Sequence, residues 1–340
     1  MRCVILVMAL FSCTNSLCQV SDFWNTDFQK ADSIALAYAG HDLSHPDQLA
    51  EKLTKDLDTE VEKLVEKFRV IFRWITDNIS YDYPLYRKKI RREAQLRYNR
   101  KRFTSYVEHV STQMYRRMIR QKKTICSGYA RLLEYMCEQA GLQCNQVSGY
   151  GSAFYLSGTK GPNHAWNVVK LGDRWYVCDV TWASGYIDSR NERFYKSFNE
   201  MYFLTDPSLF ISNHYPSDAS WILLKDPPSL ASFMNAPFKA EGFISNWINQ
   251  YSPEKGVVRI KTNEEFEFRF TSNASYVLPN ARINIVSTKK KEPNELYDCQ
   301  LTQRKSGEYV LTHTFQKRGS YCVYISINME LTFIYKVAVV

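Results

Sequence analysis

The chain has 340 residues, more than a single hydrophobic core usually organises, so two folding units are expected. Apolar residues at 45% and charged residues at 23% are globular values that exclude a disordered or fibrous chain. The net charge of +9 is gathered in residues 87–123, where fourteen Lys or Arg stand against Glu93 and Glu108; such a run reads first as a solvated helical face and second as a contact for a polyanion, whether cell-wall polymer, acidic protein or nucleic acid.

The chain opens MRCVILVMALFSCTNSLCQ. A positive start at Arg2, an apolar stretch over 4–11 and small polar residues before Gln19 form the pattern of a signal peptide, with cleavage after Cys18. Lipid attachment at Cys13, after Leu10-Phe11-Ser12, is the alternative, disfavoured by the bulk of Phe11. No later run reaches the roughly eighteen apolar residues of a membrane-spanning helix. The expectation is an exported chain, soluble or tethered only at its N-terminus. Six cysteines then remain, at 126, 137, 144, 178, 299 and 322, and Cys299 with Cys322 is the first pairing to test because both fall in β-type sequence.

The pattern over 19–235 predicts one α+β domain. A short helix is expected over 47–57 and a longer one over 59–77, where Val61, Leu64, Val65, Phe68, Ile71, Phe72 and Ile75 recur at intervals of three and four. Thr59 and Glu62 form a capping box at its start. The basic segment 87–122 continues helical, with Tyr86, Tyr98, Tyr106 and Tyr115 interleaved. Another helix runs over 126–140 and stops at Gly141, suited to the left-handed position after a helix. Strands follow over 143–149, 164–171 and 174–180, the last two joined by a two-residue Gly172-Asp173 turn. Loop sequence over 206–228 closes the domain. Over 242–340 short strands at 257–260, 266–270, 283–286, 296–301, 309–315, 321–327 and from Leu331 predict a β-sandwich of the immunoglobulin-like kind.

Chemistry is concentrated in the first unit. Cys126 stands at the start of its helix, with Thr124 placed to cap, where free N–H groups and the helix dipole favour a thiolate and could hold an oxyanion. A thiolate needs a partner able to act as base and then acid, and His164 heads the first hairpin strand. With a turn at 172–173 the paired residue numbers sum to a constant, so His164 lies opposite Thr181 and Asp179 is its diagonal neighbour on the same face. Asp179 would then orient the imidazole and stabilise its cation. Taken singly each residue has an ordinary structural role; together they compose a nucleophile, a base and an orienting carboxylate. Ser127, Trp74 and Trp166 are candidates for substrate or oxyanion contact; Trp166 shares a strand face with His164 and would shield it from water. Gln121 is near in sequence at a spacing that does not suit this role.

The blocks Cys126-Ser127-Gly128-Tyr129-Ala130, His164-Ala165-Trp166-Asn167 and Asp179-Val180-Thr181-Trp182-Ala183-Ser184-Gly185 resemble, in that order, the transglutaminase-like superfamily. Phe72-Arg73-Trp74-Ile75 and Tyr202-Phe203-Leu204-Thr205-Asp206-Pro207 extend the resemblance toward the kyphoscoliosis-peptidase-like and cytokinesis-protein branch, over roughly residues 60–225. The resemblance implies a papain-like core with a Cys nucleophile, His base and Asp orienter at positions 126, 164 and 179. The superfamily includes cross-linkers, proteases, deglycosylating enzymes and members that have lost catalysis.

Two functions follow. The first is a cysteine enzyme acting on protein or peptide amides through a thioester, with hydrolysis put ahead of cross-linking; the second is a non-catalytic peptide- or protein-binding module. No metal and no cofactor is expected, since neither an acidic calcium loop nor a C-x-x-C pair occurs.

Overall fold

A computed structural model describes residues 20–23, 26–57, 60, 63–152, 161–188, 191–275, 277–278, 280–288, 295–299 and 301–340, with the backbone alone at 20–21 and 295–299. The leader read over 1–18, including Cys13, and the Thr59 and Glu62 capping pair lie outside these residues. Among the described residues no helix is long and apolar enough to cross a membrane.

Helices α1 (Val20–Phe23), α2 (Gln29–Ala37), α3 (Pro46–Thr54) and α4 (Leu64–Asn78) come first. Of these α4 is the hub: Val65, Phe68, Val70, Ile71, Phe72, Trp74 and Ile75 are all buried, so it is enclosed on most sides and its apolar pattern is wider than one stripe. Arg69, on the same helix, is buried and clamps its neighbours. Its guanidinium donates to both Asp32 oxygens at 2.7 and 2.9 Å and to Glu200, and it lies over the Phe28 and Phe203 rings. A buried cation needs such partners to offset its desolvation.

Strand β1 (Ser80–Tyr81) leads to α5 (Tyr83–Leu96) and α6 (Arg100–Gln121), then β2 (Lys123–Thr124) and α7 (Cys126–Gln139). The basic segment is thus two helices rather than one. The break falls at Asn99, whose side chain accepts from the Arg102 N–H at 3.1 Å, and Asp82 caps α5 in the same way; a short polar side chain offers the first-turn N–H a partner and starts a new helix. Parallel pairing of Ser80 with Lys123 and Tyr81 with Thr124 closes the two-helix arm at its base.

Helix α7 ends as read. Gly141 has φ +76, its N–H donates to Glu138 at 3.0 Å and that of Leu142 to Cys137 at 2.9 Å, the paired bonds of a Schellman stop. Next come β3 (Gln143–Gly151), β4 (His164–Leu171), β5 (Arg174–Cys178), α8 (Val180–Ala183), β6 (Gly185–Asp188), β7 (Arg193–Lys196), α9 (Pro207–Phe210) and β8 (His214–Pro216). The central antiparallel sheet has the order β5-β4-β3-β8. Residues of α2, α3, α4, α7 and this sheet share one apolar cluster. The stretch 206–228 therefore supplies an edge strand, not loop alone.

The C-terminal part is a β-sandwich. Strands Ile248–Ser252, Glu265–Ser272, Tyr309–Thr314 and Thr302–Gln303 form one sheet in that order. Val257–Ile260, Glu330–Val339, Gly319–Ile327, Ala281–Ser287 and Glu295–Cys299 form the other, with Phe238–Lys239 also paired to Glu330–Val339. Inward residues of both sheets, among them Phe268, Leu311, Ile283, Ile325 and Tyr335, make a second apolar cluster. Cys322 is a free thiol. Its strand is separated from that of Cys299 by Ala281–Ser287, where Cys299 pairs with Ala281 and Cys322 with Val286. That offset, five residues along a strand, is well beyond disulfide reach, which rules out the pairing expected from the sequence.

Candidate active site

The site is built where the start of α7 meets the end of β4. Asn167, on β4, donates to the Ala130 carbonyl of α7 at 2.9 Å, which holds the helix carrying Cys126 against the strand carrying His164. The β4–β5 register follows the predicted sum: Leu171 pairs with Arg174 and Asn167 with Cys178, set by the turn in which Gly172 has φ +61. Beyond Cys178 the ladder stops. Asp179 leaves the strand to cap α8, its Oδ1 accepting from the N–H of Thr181 at 2.7 Å and of Trp182 at 3.1 Å. So His164 does not face Thr181 as expected; the carboxylate reaches the imidazole from a helix start, with Oδ2 2.6 Å from His164 Nε2.

Cys126, His164 and Asp179 are 6%, 4% and 0% exposed. Burial raises the Cys126 thiol, but a hydrogen bond with the His164 imidazole, the charge there, Lys89 and the Ala165 N–H outweigh it and hold the pKa below an ordinary thiol. Burial lowers His164, yet Asp179, and then Cys126, raise it to about 10. Asp179 itself is pushed up by burial and brought well below the usual carboxylate range by His164 and His214. With Nε2 committed to Asp179, Nδ1 is the ring nitrogen left for the sulfur. The three directions agree, each favouring the charged form: thiolate at Cys126, imidazolium at His164 and carboxylate at Asp179, in dry surroundings that strengthen their mutual attraction.

A fourth residue was not foreseen. His214, at the start of the edge strand β8, places Nε2 2.9 Å from the same Asp179 Oδ2 and Nδ1 2.6 Å from Asn213 Oδ1. Burial lowers its pKa to about 4, the His164 cation adding to that against the pull of Asp179. Its Nε2–H serves as a second donor to the carboxylate. Phe210 stacks on it at 4.1 Å and Trp182 and Trp166 lie 4.4 and 5.1 Å away, an aromatic enclosure that keeps water from Asp179. Only a histidine near the end of an apolar stretch signals this in the sequence, and its partner is 35 residues away.

The remaining candidates divide. Trp166 is 5.9 Å from His164 between ring centres and buried, in the shielding position expected. Ser127 sits in the first turn of α7, its hydroxyl donating to Met114 Sδ at 3.5 Å. Trp74 is elsewhere: it is fully buried in α4 and its indole N–H donates to the Tyr38 carbonyl at 2.8 Å, so it offers no donor to an oxyanion. Thr124 does not cap α7; Ile125 is the N-cap residue, without a side-chain bond, and the Thr124 hydroxyl packs where a Gly128 side chain would be, 1.9 Å from the Cβ position. That contact is why a glycine follows Ser127.

His164, Asp179 and His214 also bring their ligand atoms within 4.8 Å of one another. Both imidazole nitrogens lie on one carboxylate oxygen at hydrogen-bond distance, an arrangement that needs a proton on each N···O line rather than lone pairs converging on a shared empty point. These residues fit a hydrogen-bonded array better than a metal centre.

Residues 47–180 match the sequence profile of the transglutaminase-like superfamily. The chain is 36% identical over 212 residues to kyphoscoliosis peptidase of Mus musculus, an alignment covering 61% of this chain and 29% of that protein. It is 36% identical over 213 residues to kyphoscoliosis peptidase of Homo sapiens, covering 62% and 29%, and 27% identical over 237 residues to Hillarin of Drosophila melanogaster, covering 62% and 25%. The chain thus spans less than a third of the length of these curated relatives. The domain that carries Cys126, His164 and Asp179 belongs to the transglutaminase-like superfamily, on its kyphoscoliosis-peptidase-like branch.

Proposed function

We propose that this protein is an exported cysteine enzyme that cleaves protein or peptide amides through a thioester on Cys126, with water as the usual acceptor. The observation that supports this is the geometry of the site, with Cys126 opening α7, the strand of His164 tied to that helix through Asn167, and His164 Nε2 2.6 Å from Asp179 Oδ2; the thiol held low and the imidazole held high agree with it. The Cys126 sulfur adds to the amide carbonyl carbon, and the His164 imidazolium gives its proton to the departing amine as the C–N bond breaks. His164, now neutral, takes a proton from water, which attacks the thioester and releases the acid and the thiolate. Asp179 keeps the imidazole oriented and its cation stable throughout.

Hydrolysis is preferred to cross-linking because the mammalian relatives are named peptidases. The basic segment 87–122 fits a surface that holds the enzyme on a polyanion, since Arg97, Arg100, Lys101 and Arg102 are all exposed; retention on immobilised heparin that fails when these four become Glu would support it, and unchanged retention would remove it. For the reaction, the wild type and Cys126→Ala are incubated with casein and a fluorescent amine. Casein fragments from the wild type alone support hydrolysis, amine incorporation without fragments would make the enzyme a cross-linker, and neither product would reject catalysis.

A further inference from the structure

Cys126 has a neighbour whose chemistry the triad does not use. Tyr81 is held beside the start of α7 by three separate ties. Its strand pairs in parallel with the two residues before Ile125, the Asp82 N–H donates to the Thr124 carbonyl at 2.8 Å, and the preceding Ile79 carbonyl accepts from Tyr129 Oη of α7 at 2.6 Å and from Lys196 Nζ at 2.7 Å. The ring packs on the small cluster of Leu85, Tyr86 and Ile125 and on Phe194, 6.5 Å away. Its hydroxyl is sealed from solvent and has no hydrogen-bond partner among the described residues. A phenol O–H buried in this way forfeits the hydrogen bond it had in water, and such orphans call for an explanation.

The pairing of Tyr81 with Thr124 and the packing of its ring on the cluster that holds Ile125 set this residue beside the start of α7. Burial raises its pKa well above the ordinary phenol value, and the next cause is the negative charge of Cys126, ahead of Asp179. Tyr81 therefore keeps its proton, on a strand that pairs with the residues leading into α7. The side-chain donor sought at Trp74 is missing there because that indole is occupied.

We propose that Tyr81 is a further catalytic residue, its unpartnered hydroxyl donating a hydrogen bond to the substrate oxygen that becomes anionic when Cys126 adds to the carbonyl. This rests on the amide-cleaving function proposed above. In that step the S–C bond forms, the carbonyl π pair moves onto oxygen, and the charge is shared between the first-turn N–H groups of α7 and the Tyr81 O–H; no proton leaves Tyr81, and the bond relaxes when the C–N bond breaks.

Two probes of the full chain separate this from a structural role. 4-Nitrophenyl acetate acylates Cys126 through a tetrahedral oxyanion, whereas iodoacetamide alkylates the same thiolate without one. Tyr81→Phe should lower the Cys126-dependent acylation rate by about 100-fold or more, leave alkylation at pH 6 within about twofold, and leave Tm equal or higher because an unpaired buried hydroxyl is gone. Equal acylation by the variant overturns the proposal, as does a parallel fall in both rates, which would make Tyr81 a support of the thiolate or of the fold. If the wild type acylates no faster than Cys126→Ala, the enzymatic function itself fails and takes this role with it.

Discussion

The charge on Asp179 is the most exposed point of the account, and Asp179→Asn isolates it. Asparagine caps helices as well as aspartate does, so the bonds from Thr181 and Trp182 survive while the negative charge on His164 and His214 is lost. His164 titrates at about 10 rather than 6.5, so the folded site favours its cation by on the order of 5 kcal/mol. Asp179 stands ahead of Cys126 among the favourable causes, and without it burial returns the imidazole to its neutral form. The thiol then loses its counter-ion. At pH 6 an ordinary thiol of pKa about 8.5 is only about 0.3% ionised, and the wild-type sulfur, whose pKa His164 holds lower, carries more of the thiolate. A thiolate of lower pKa is also intrinsically less nucleophilic, so the fall is bounded at roughly a hundredfold. Iodoacetamide labelling at pH 6, followed by peptide mass spectrometry, should show that fall at Cys126. Cys322, a partly exposed thiol whose pKa burial raises, provides an internal reference outside the site in the same tube. Equal Cys126 labelling in wild type and variant, or a wild-type rate no greater than that of Cys322, would refute the ion pair.

The same pair sets the pH profile. A thiol pKa held low puts the acid limb of activity below that of ordinary thiol chemistry, and loss of the imidazolium proton ends amide cleavage as pH rises through about 10, while alkylation, which needs only the thiolate, persists; a coincident alkaline fall of both would contradict this. His214→Ala removes one of the two imidazole donors on Asp179 and its stacking on Phe210, and should cost about 2 to 4 kcal/mol of stability in urea unfolding, from the lost bond and the cavity. Because folded His214 binds its proton only near pH 4, whereas an unfolded histidine binds it near 6.5, wild-type stability should fall from pH 6.5 toward 4 and that component should vanish in His214→Ala; an unchanged slope would place the charge elsewhere. Gly149→Ala would put a methyl 2.3 Å from the Tyr215 carbonyl and 2.5 Å from Trp166 Cη2, contacts that backbone must move to relieve, so a loss of about 1 to 3 kcal/mol is expected, and a Tm equal to wild type would contradict the close β3–β8 approach.

Much of this site is local and so was readable. The Gly172-Asp173 turn fixes the register of β4 and β5, and the register brings the end of one strand near the start of the other. Helix α7 carries its own stop in Gly141. Two departures share one origin, the competition of a short polar side chain with regular structure. Asp179 was read as a strand residue, although an Asp followed by Val180-Thr181-Trp182 is also a helix start. Asn99 was passed over inside a basic helix for the same reason. Trp74 was misplaced because a helix apolar on most sides has no face reserved for a site, and burial on all sides takes its tryptophan with it. His214 and Tyr81 could not be found by spacing. One reaches Asp179 from the far edge of the sheet and the other is set beside the start of α7 by a two-residue parallel bridge, so both depend on tertiary contacts between segments distant in the chain.

The central claim is that Cys126 becomes covalently acylated during turnover. Wild type mixed with a cleaved peptide, quenched in acid within milliseconds to seconds and mapped by mass spectrometry, should carry the acyl half of that peptide on Cys126, with no such adduct and no product from Cys126→Ala. Product formed without the adduct in the wild type, or formed at all by Cys126→Ala, would contradict it.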